Sequence, residues 1–552
     1  MSSKLLRGTF ILTLGTIISK VLGLFYVIPF YAIVKEHGTA LYQFSYVPYT
    51  IFISIATAGV PLAVSKFISK YNALGEYGVG RKLFKSGLIV MLASGIVSFL
   101  ILYFSAPFLS EIMLSDKGSS SGADNISVAD VTIVIRAVSF ALIVVPFMSL
   151  IRGFFQGHQS MGPSAVSQVV EQIVRIVFLL VGAYIVLNVL NGSLVTAVSV
   201  ATFAAFIGAI GSLAVLAWYW FKRKPHLDKL LEQDKGTMSI SLGEMYKEIL
   251  TYAAPFVLVG IANPLFQFID QLTFTRAMLS LGIDKNHAVS AFSVLNFQSH
   301  KLVIIPVSLA TGFSLTLVPS ITKAFVEEDW SSLNRQLDQT LQVLLFLTLP
   351  AVIGLSLLAE PVYTLFYGHA VLGTEVLKSY APVALLFALY QVTAAILQGI
   401  NEQRFTVLSL LVGLLIKLSL NIPLIKLMET QGAVLATALG YTGAIIINMF
   451  VIRYFARYPF RLVARRSMLI VIFTAIMYIS TKLVYLFLVL ILSPETRFQS
   501  LLIVIICAAI GAAVFFYLGH RTKLVYVLFG SRIDNLKRKL RLPIKKEEGS
   551  RF

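Results

Sequence analysis

Long apolar runs recur along the whole chain, and they constrain the fold more than any other feature. Each run is roughly 20 residues long, the length an α-helix needs to cross the hydrocarbon core of a bilayer. The composition agrees, because 57% of the 552 residues are hydrophobic and only 13% are charged, whereas soluble domains are about one quarter charged. A soluble enzyme and a nucleic-acid-binding protein are thereby excluded. We predict an all-α polytopic membrane protein.

The apolar runs predict fourteen transmembrane helices. The first run is kept as a true span because it carries Lys20 mid-way and is not followed by a small-residue cleavage site. The predicted spans are 9–33, 42–64, 84–106, 131–153, 164–188, 193–220, 248–274, 288–319, 338–359, 379–400, 405–427, 432–456, 467–491 and 499–519.

The distribution of Lys and Arg predicts the orientation. With the N-terminus inside, cytoplasmic segments hold 32 of the 45 basic residues, external loops hold seven and the spans hold six. This asymmetry is typical of a chain with both termini in the cytoplasm. The net charge of +19 is therefore a topology signal and an attraction to anionic lipids of the inner leaflet, not a nucleic-acid-binding signal.

Two segments recur with one spacing and indicate an internal repeat. Gln156-Gly157 and Gln398-Gly399 end spans 4 and 10, and a basic residue follows each glycine by eighteen positions, at Arg175 and Lys417. Spans 1–6 and 7–12 are then two six-helix lobes related by an axis along the membrane normal, and such repeats hold substrate between them. The predicted regions are an N-lobe at 1–221, a basic cytoplasmic linker at 222–247, a C-lobe at 248–456, two added helices at 457–519 and a basic cytoplasmic tail at 520–552.

Charged residues inside the spans are the candidate functional residues, because a charge at mid-span costs about 2.5–3.5 kcal/mol and needs a cavity or a partner. The spans carry more cations than anions, which favours a cavity for an anionic, phosphate-bearing substrate. The candidate substrate-binding residues are Lys20, Arg136, Lys301, Arg152, Arg175 and Lys417.

Structural roles compete with these functional ones. Glu171 and Arg175 are spaced i,i+4 and could form a structural ion pair, and Lys417 could be the counterpart of Arg175 left by duplication. Arg152 stands at the cytoplasmic end of span 4, where a topology anchor is the ordinary role. Lys482 in span 13 could reach outward to water, and Asp270 is expected at the membrane interface near the outer surface.

Motifs of cofactor-dependent or catalytic proteins are missing from the sequence. It contains no G-x-x-x-x-G-K-[ST] phosphate loop and no H-E-x-x-H zinc motif, and its single cysteine, Cys507, lies in an apolar run. No cofactor and no metal are predicted, and a membrane enzyme is disfavoured.

Several motifs resemble those of the MurJ-type lipid II flippases, closest to their Gram-positive branch, over nearly the whole chain. The motifs are Arg7-Gly8-Thr9-Phe10, Ser19-Lys20-Val21-Leu22-Gly23, Ala58-Gly59-Val60-Pro61, Ile151 to His158, and Lys301 through Pro306 to Lys323.

The resemblance implies two six-helix lobes around a cationic cavity, with the last two spans forming a groove for an undecaprenyl tail. It also implies that Lys20 and Lys301 are functional and that Arg136 matches a further basic residue. Near the places where the Gram-negative branch has additional cavity charges, this chain has Phe25, Thr39 and Phe52. The ion coupling of that branch therefore does not carry over.

The sequence hypothesis is a flippase of the bacterial cell membrane. It would move lipid II, the undecaprenyl-diphosphate-linked disaccharide pentapeptide, from the inner to the outer leaflet, with anionic lipids and the cell-wall synthesis machinery as partners. A flippase for another undecaprenyl-linked glycan, such as a capsule, teichoic-acid or spore-cortex precursor, fits the same residues. A multidrug or cation antiporter is a weaker alternative, because it requires buried carboxylates rather than cations.

Overall fold

The computed structural model describes residues 15, 18–57, 60–114, 126–236, 241–315 and 318–529. These residues form α-helices and short connections, with two π-helical segments and no β-strand among them. The motif Arg7-Gly8-Thr9-Phe10 and most of the basic tail, residues 530–552, lie outside the described residues.

The helices are numbered here in chain order. The first eight are α1 (Ile18–Phe25), α2 (Val27–Thr57), α3 (Val60–Leu74), α4 (Tyr77–Leu114), α5 (Val128–Ser139), α6 (Ala141–Gly157), α7 (Met161–Tyr184) and α8 (Leu194–Glu232). The next six are α9 (Leu242–Leu279), α10 (Lys285–Ser293), α11 (His300–Leu315), α12 (Val318–Val326), α13 (Trp330–Leu357) and α14 (Ala359–Tyr367). The last six are α15 (Val371–Tyr380), α16 (Val383–Gly399), α17 (Gln403–Phe455), α18 (Arg461–Val489), α19 (Arg497–Arg521) and α20 (Leu524–Phe529). The π-helical segments are Ile185–Val189 and Val294–Ser299.

The number of long helical segments agrees with the prediction. Ten helices of the described residues are long and apolar enough to cross a membrane, and the bent pair α1–α2 makes eleven. Non-helical backbone at Lys35, with φ 56°, and at Glu429, with φ 51°, divides α2 and α17 into two helices each. These two divisions add two helices to the eleven, and α9 adds one more, so the described residues contain fourteen long helical segments. The predicted all-α polytopic membrane fold is confirmed.

Local sequence explains where several helices begin. Ser127 accepts a hydrogen bond from the backbone N–H of Asp130, whose carboxylate accepts one from the backbone N–H of Ser127. Ser241 and Glu244 form the same reciprocal cap at the start of α9. These caps satisfy backbone donors that have no partner in the first turn of a helix.

Small residues allow the helices to approach closely, as is typical of helix packing in membranes. A Cβ added to Gly95 of α4 would lie 2.6 Å from the carbonyl oxygen of Leu142 on α6. A Cβ added to Gly208 of α8 would lie 2.8 Å from the carbonyl oxygen of Glu171 and 2.9 Å from the Cβ of Arg175, both on α7. A larger residue at either glycine would force the paired helices apart.

The chain divides into two compact units. One unit contains residues 1–301 and 406–440, and the other contains residues 302–405 and 441–552. In the second unit, Phe346 of α13 packs with Phe473 of α18 and Phe515 of α19. The limits of the two predicted six-helix lobes and of the other predicted regions stay predictions.

Candidate functional site: a cation–aromatic cluster

Arg175 lies against two tyrosines in the first unit. Its guanidinium donates hydrogen bonds to the hydroxyl of Tyr42 at 3.0 Å and to the hydroxyl of Tyr46 at 2.9 Å. It also lies 5.2 Å from the centroid of the Tyr46 ring, within the range of a cation–π contact. The tyrosines are one helical turn apart on α2, and their rings stack at 5.1 Å. Arg175 is thus held by aromatic groups rather than by a carboxylate.

Lys301 approaches the same aromatic group from another helix. Its ammonium lies 5.9 Å from the centroid of the Tyr46 ring and 5.8 Å from that of Phe297. Phe297 packs edge-on against Tyr42 at 5.8 Å. Lys301 and Arg175, both half-buried, therefore share one tyrosine. We call Arg175, Lys301, Tyr42, Tyr46 and Phe297 the cation–aromatic cluster.

The backbone before Lys301 is π-helical. The segment Val294–Ser299 has the wider π turn, and α11 resumes regular α-helix at His300. Short π segments inside α-helices occur frequently at functional sites. This segment sets the direction from which Lys301 approaches Tyr46.

The charge of the cluster is uncompensated at close range. Within the described part of the chain, no carboxylate oxygen lies within 4.0 Å of the Arg175 guanidinium or the Lys301 ammonium. Two cations in apolar surroundings repel each other and favour an anion that would contact both. A phosphate or diphosphate group has the matching charge and accepts hydrogen bonds from both side chains.

Lys20 belongs to a helix that passes beside the cluster. It is exposed and forms no ion pair with any described residue. Gly23 lies on the same face of α1, and a Cβ there would be 3.0 Å from the amide nitrogen of Gln172. Gln172 and Arg175 are three residues apart on one face of α7. The face of α1 that carries Lys20 is therefore packed near the part of α7 that carries Arg175.

Arg136 is held elsewhere. Its Nε donates to the carbonyl oxygen of Tyr103 on α4 at 3.4 Å, and its guanidinium lies 5.0 Å from the Tyr103 ring centroid. The structure does not bring it into contact with Arg175 or Lys301. Its predicted part in substrate binding stays a prediction.

Arg152 joins three helices through a network of polar side chains, and this network decides between two alternatives left open by the sequence. Its guanidinium bonds to Glu171 of α7 at 2.6 Å, to Ser167 at 2.9 Å and to Ser212 of α8 at 2.8 Å. Glu171 is thus the ion-pair partner of Arg152, and the i,i+4 ion pair that the spacing of Glu171 and Arg175 allowed does not form. The physical reason is that Arg175 turns toward the tyrosines of α2.

Lys417 lies in a buried polar network that includes Asp270. Its ammonium donates to a carboxylate oxygen of Asp270 at 2.7 Å and to the hydroxyl of Thr437 at 2.8 Å. Asn421 donates to the other carboxylate oxygen at 3.0 Å and to the hydroxyl of Thr273 at 2.7 Å. Lys417 and Asp270 are 1% and 4% exposed. Asp270 is therefore the counter-charge of a buried lysine, and its expected depth near the outer membrane interface stays a prediction.

Sequence reasoning missed the aromatic half of the cluster. A signal was present, because Tyr42, Tyr46 and Tyr49 recur at helical spacing on one segment. Aromatic residues are common in membrane helices, so this spacing becomes informative only beside Arg175. For metal sites, no group of three or more His, Cys, Asp or Glu residues in the described ranges is arranged to hold an ion.

Comparison with known proteins identifies the family. A model of the family described as polysaccharide biosynthesis protein matches residues 5–325. The protein named lipid II flippase MurJ of Bacillus subtilis (strain 168) is 50% identical over 546 residues, which cover 98% of this chain and 99% of that protein. The chain belongs to the MurJ lipid II flippase family. It is a transporter rather than an enzyme.

More distant relatives agree with this placement. An uncharacterized membrane protein of the same organism, YabM, is 29% identical over 97% of this chain and 96% of that protein. A solved structure of lipid II flippase MurJ in an inward closed conformation has a TM-score of 0.63 at 15% identity, covering 96% of this chain and all of that chain. An inward-facing multidrug resistance MATE family transporter has a TM-score of 0.61 at 15% identity over 80% of this chain and 94% of that chain. At that identity the two structures show the fold alone.

Proposed function

We propose that this protein carries lipid II from the inner to the outer leaflet of the bacterial cell membrane by alternating access through a cationic cavity. The observation that supports lipid II as the substrate is the 50% identity, over almost the full length of both chains, to a protein named lipid II flippase. In this proposal both termini are cytoplasmic, and the two six-helix lobes rock about the substrate. The proposed partners are lipid II, anionic membrane lipids and the cell-wall synthesis machinery.

The cation–aromatic cluster supports the chemistry of this proposal. Lys301 and Arg175 bind the diphosphate, and Tyr46 holds both cations in place. Lys20 contributes from the neighbouring α1, and Arg136, Arg152 and Lys417 are proposed with weaker support because each already has another partner. The aromatic rings suit a sugar or a lipid stem beside the phosphates.

The membrane potential favours this direction of transport. An inside-negative potential drives an anion outward by about 2.3 kcal/mol per elementary charge per 100 mV. If Lys301 and Arg175 move with the substrate across the field, the net transferred charge is smaller and the driving force falls accordingly.

A flippase for another undecaprenyl-linked glycan would use the same cationic cluster, and the test must separate the two. A cation antiporter is disfavoured, because binding of a cationic substrate needs carboxylates where the described cluster presents two cations.

The test measures outer-surface exposure of lipid II in cells depleted of this protein and of any redundant flippase. Depleted cells are complemented with the wild type, Lys301→Ala, Arg175→Ala, Lys20→Ala or the control Lys426→Ala, which removes an exposed lysine outside the cluster. Loss of a charge-assisted phosphate contact is expected to slow flipping about tenfold or more at equal membrane expression. The control is expected to complement fully.

Three results would change the proposal. Unchanged lipid II exposure in depleted cells would overturn the substrate and direct the search to other undecaprenyl-linked glycans. Full complementation by Lys301→Ala and Arg175→Ala would leave lipid II as the proposed substrate but would overturn the cation–aromatic cluster as its binding site. An equal loss of lipid II exposure with Lys426→Ala would show that flipping depends on the total positive charge of the protein rather than on the cluster.

A further inference from the structure

The second unit contains a cavity, lined in part by polar side chains, that the proposed transport step does not use. Its volume is about 280 Å³, and it is bounded by the end of α13, the start of α14, one face of α15 and one face of α18. Two lysines, Lys378 of α15 and Lys482 of α18, line it together with Tyr478, Tyr485 and Glu360. Four helices thus direct polar side chains into one space.

The cavity has an excess of positive charge. Neither lysine ammonium has a carboxylate oxygen within 4.0 Å among the described residues. Among the described residues that line the cavity, Glu360 alone carries a carboxylate, which accepts a hydrogen bond from the hydroxyl of Tyr485 at 3.1 Å. Lys482 lies 5.9 Å from the ring centroid of Tyr478. With two cations and one anion, the cavity is suited to a singly charged anion.

The surroundings of Lys482 favour a ligand that has both an anionic and an apolar part. It lies seven residues before the end of α18 at Val489, which corresponds to about 10 Å along the helix axis. Its neighbours Leu483 and Leu486 have exposed fractions of 64% and 53%, so acyl chains can contact the same helix beside the ammonium. A lysine at this depth is costly without an anionic partner.

We propose that this cavity binds the phosphodiester headgroup of an anionic phospholipid, with the phosphate between Lys378 and Lys482 and one acyl chain along Leu483 and Leu486. The small volume disfavours the disaccharide-pentapeptide headgroup of the proposed substrate. The exposed leucines favour a lipid over free phosphate, because a soluble ion gains nothing from them. The site is therefore a lipid site separate from the cation–aromatic cluster.

The test uses the full-length protein in nanodiscs of phosphatidylcholine, titrated with spin-labelled phosphatidylglycerol to measure the fraction of immobilised lipid. Lys378→Gln and Lys482→Gln are each expected to weaken phosphatidylglycerol binding about fivefold, the effect of one surface lysine on an anionic lipid. Lys426→Gln, which removes an exposed lysine outside this cavity, is expected to leave binding unchanged.

A variant with the opposite sign guards against misfolding as an explanation. Glu360→Gln removes the one carboxylate of the cavity and is expected to strengthen binding, which a damaged fold would not do. Labelled phosphatidylcholine provides the uncharged comparison and is expected to show no dependence on any of the four variants.

Four results would overturn the proposal. They are equal binding by the lysine variants and the wild type, equal weakening by Lys426→Gln, displacement of the lipid by millimolar inorganic phosphate, and preferential binding of an undecaprenyl-diphosphate lipid at this cavity. None of these measurements involves lipid II flipping, so failure of the transport proposal would leave the outcome of this test unaffected.

Discussion

Removing the buried ammonium of Lys417 tests the network around Asp270 directly. In Lys417→Met the apolar stem of the side chain is largely preserved, while the 2.7 Å bond to Asp270 and the 2.8 Å bond to Thr437 are lost. The carboxylate of Asp270, 4% exposed, then keeps only the hydrogen bond from Asn421. A buried charge would remain without its counter-charge.

The expected cost follows from that uncompensated charge. Breaking one partner of a buried ion pair typically destabilises a protein by about 3–5 kcal/mol, whereas replacing both partners can be neutral or stabilising. Lys417→Met is therefore expected to lower the free energy of unfolding by about 3–5 kcal/mol. The double variant Lys417→Met with Asp270→Asn is expected to recover most of that loss.

The assay is equilibrium unfolding in mixed detergent micelles, followed by tryptophan fluorescence and analysed as a double-mutant cycle. Lys426→Met serves as the control, because Lys426 is exposed and its removal is expected to change stability by less than about 0.5 kcal/mol. The reasoning is refuted if Lys417→Met is as stable as the wild type, or if the double variant is no more stable than the single one.

Three further outcomes are expected. Arg152→Ala should lower the free energy of unfolding by about 1–3 kcal/mol in the same assay. The loss should exceed that of Glu171→Gln, because Arg152 also bonds two serine hydroxyls, and equal losses would contradict this prediction. Gly95→Ala should lower the thermal midpoint through its clash with a backbone carbonyl of α6, whereas Gly162→Ala, which meets nothing within 4 Å, should not. Burial lowers the pKa of His158 below its usual value of 6.5, so the stability that the neutral imidazole contributes is complete above pH 6.5 and is lost as the pH falls. Between pH 7.5 and 5.5 the His158→Gln variant should therefore lose less stability than the wild type. The same pH dependence in both proteins would contradict this prediction.

The helical membrane fold was predictable because hydropathy over about 20 residues reports a one-dimensional constraint, the thickness of the bilayer. The helix boundaries were harder to predict, as the turn at Lys35 shows. The second span was predicted to begin at residue 42, but the helix resumes directly after Lys35, through residues too polar for a hydropathy pattern to include. Their helical conformation depends on tertiary contacts, such as the hydrogen bond between Thr39 and Ser293 at 2.7 Å.

The partners of the intramembrane charges were not predictable from spacing. Glu171 and Arg175 satisfy the i,i+4 rule, yet Glu171 pairs with Arg152, nineteen residues away. Lys417 and Asp270 are 147 residues apart and form an ion pair at 2.7 Å. Spacing along one helix describes only neighbours on that helix, whereas a buried charge takes whichever partner the packing brings nearest. The cations themselves were identifiable because their insertion cost makes each of them exceptional.

The π-helical segment Val294–Ser299 makes the direction of Lys301 depend on backbone geometry. A π turn accommodates one residue more than an α turn, so the wide turn takes up one residue that a regular helix would place further along its surface. If the same residues closed into regular α-helix, every following side chain would rotate by about 100° about the helix axis, and Lys301 would turn away from Tyr46. The apolar composition of the span would be unchanged. Interconversion of a π turn and an α turn can thus remove or restore a charge at the cluster without replacing any residue.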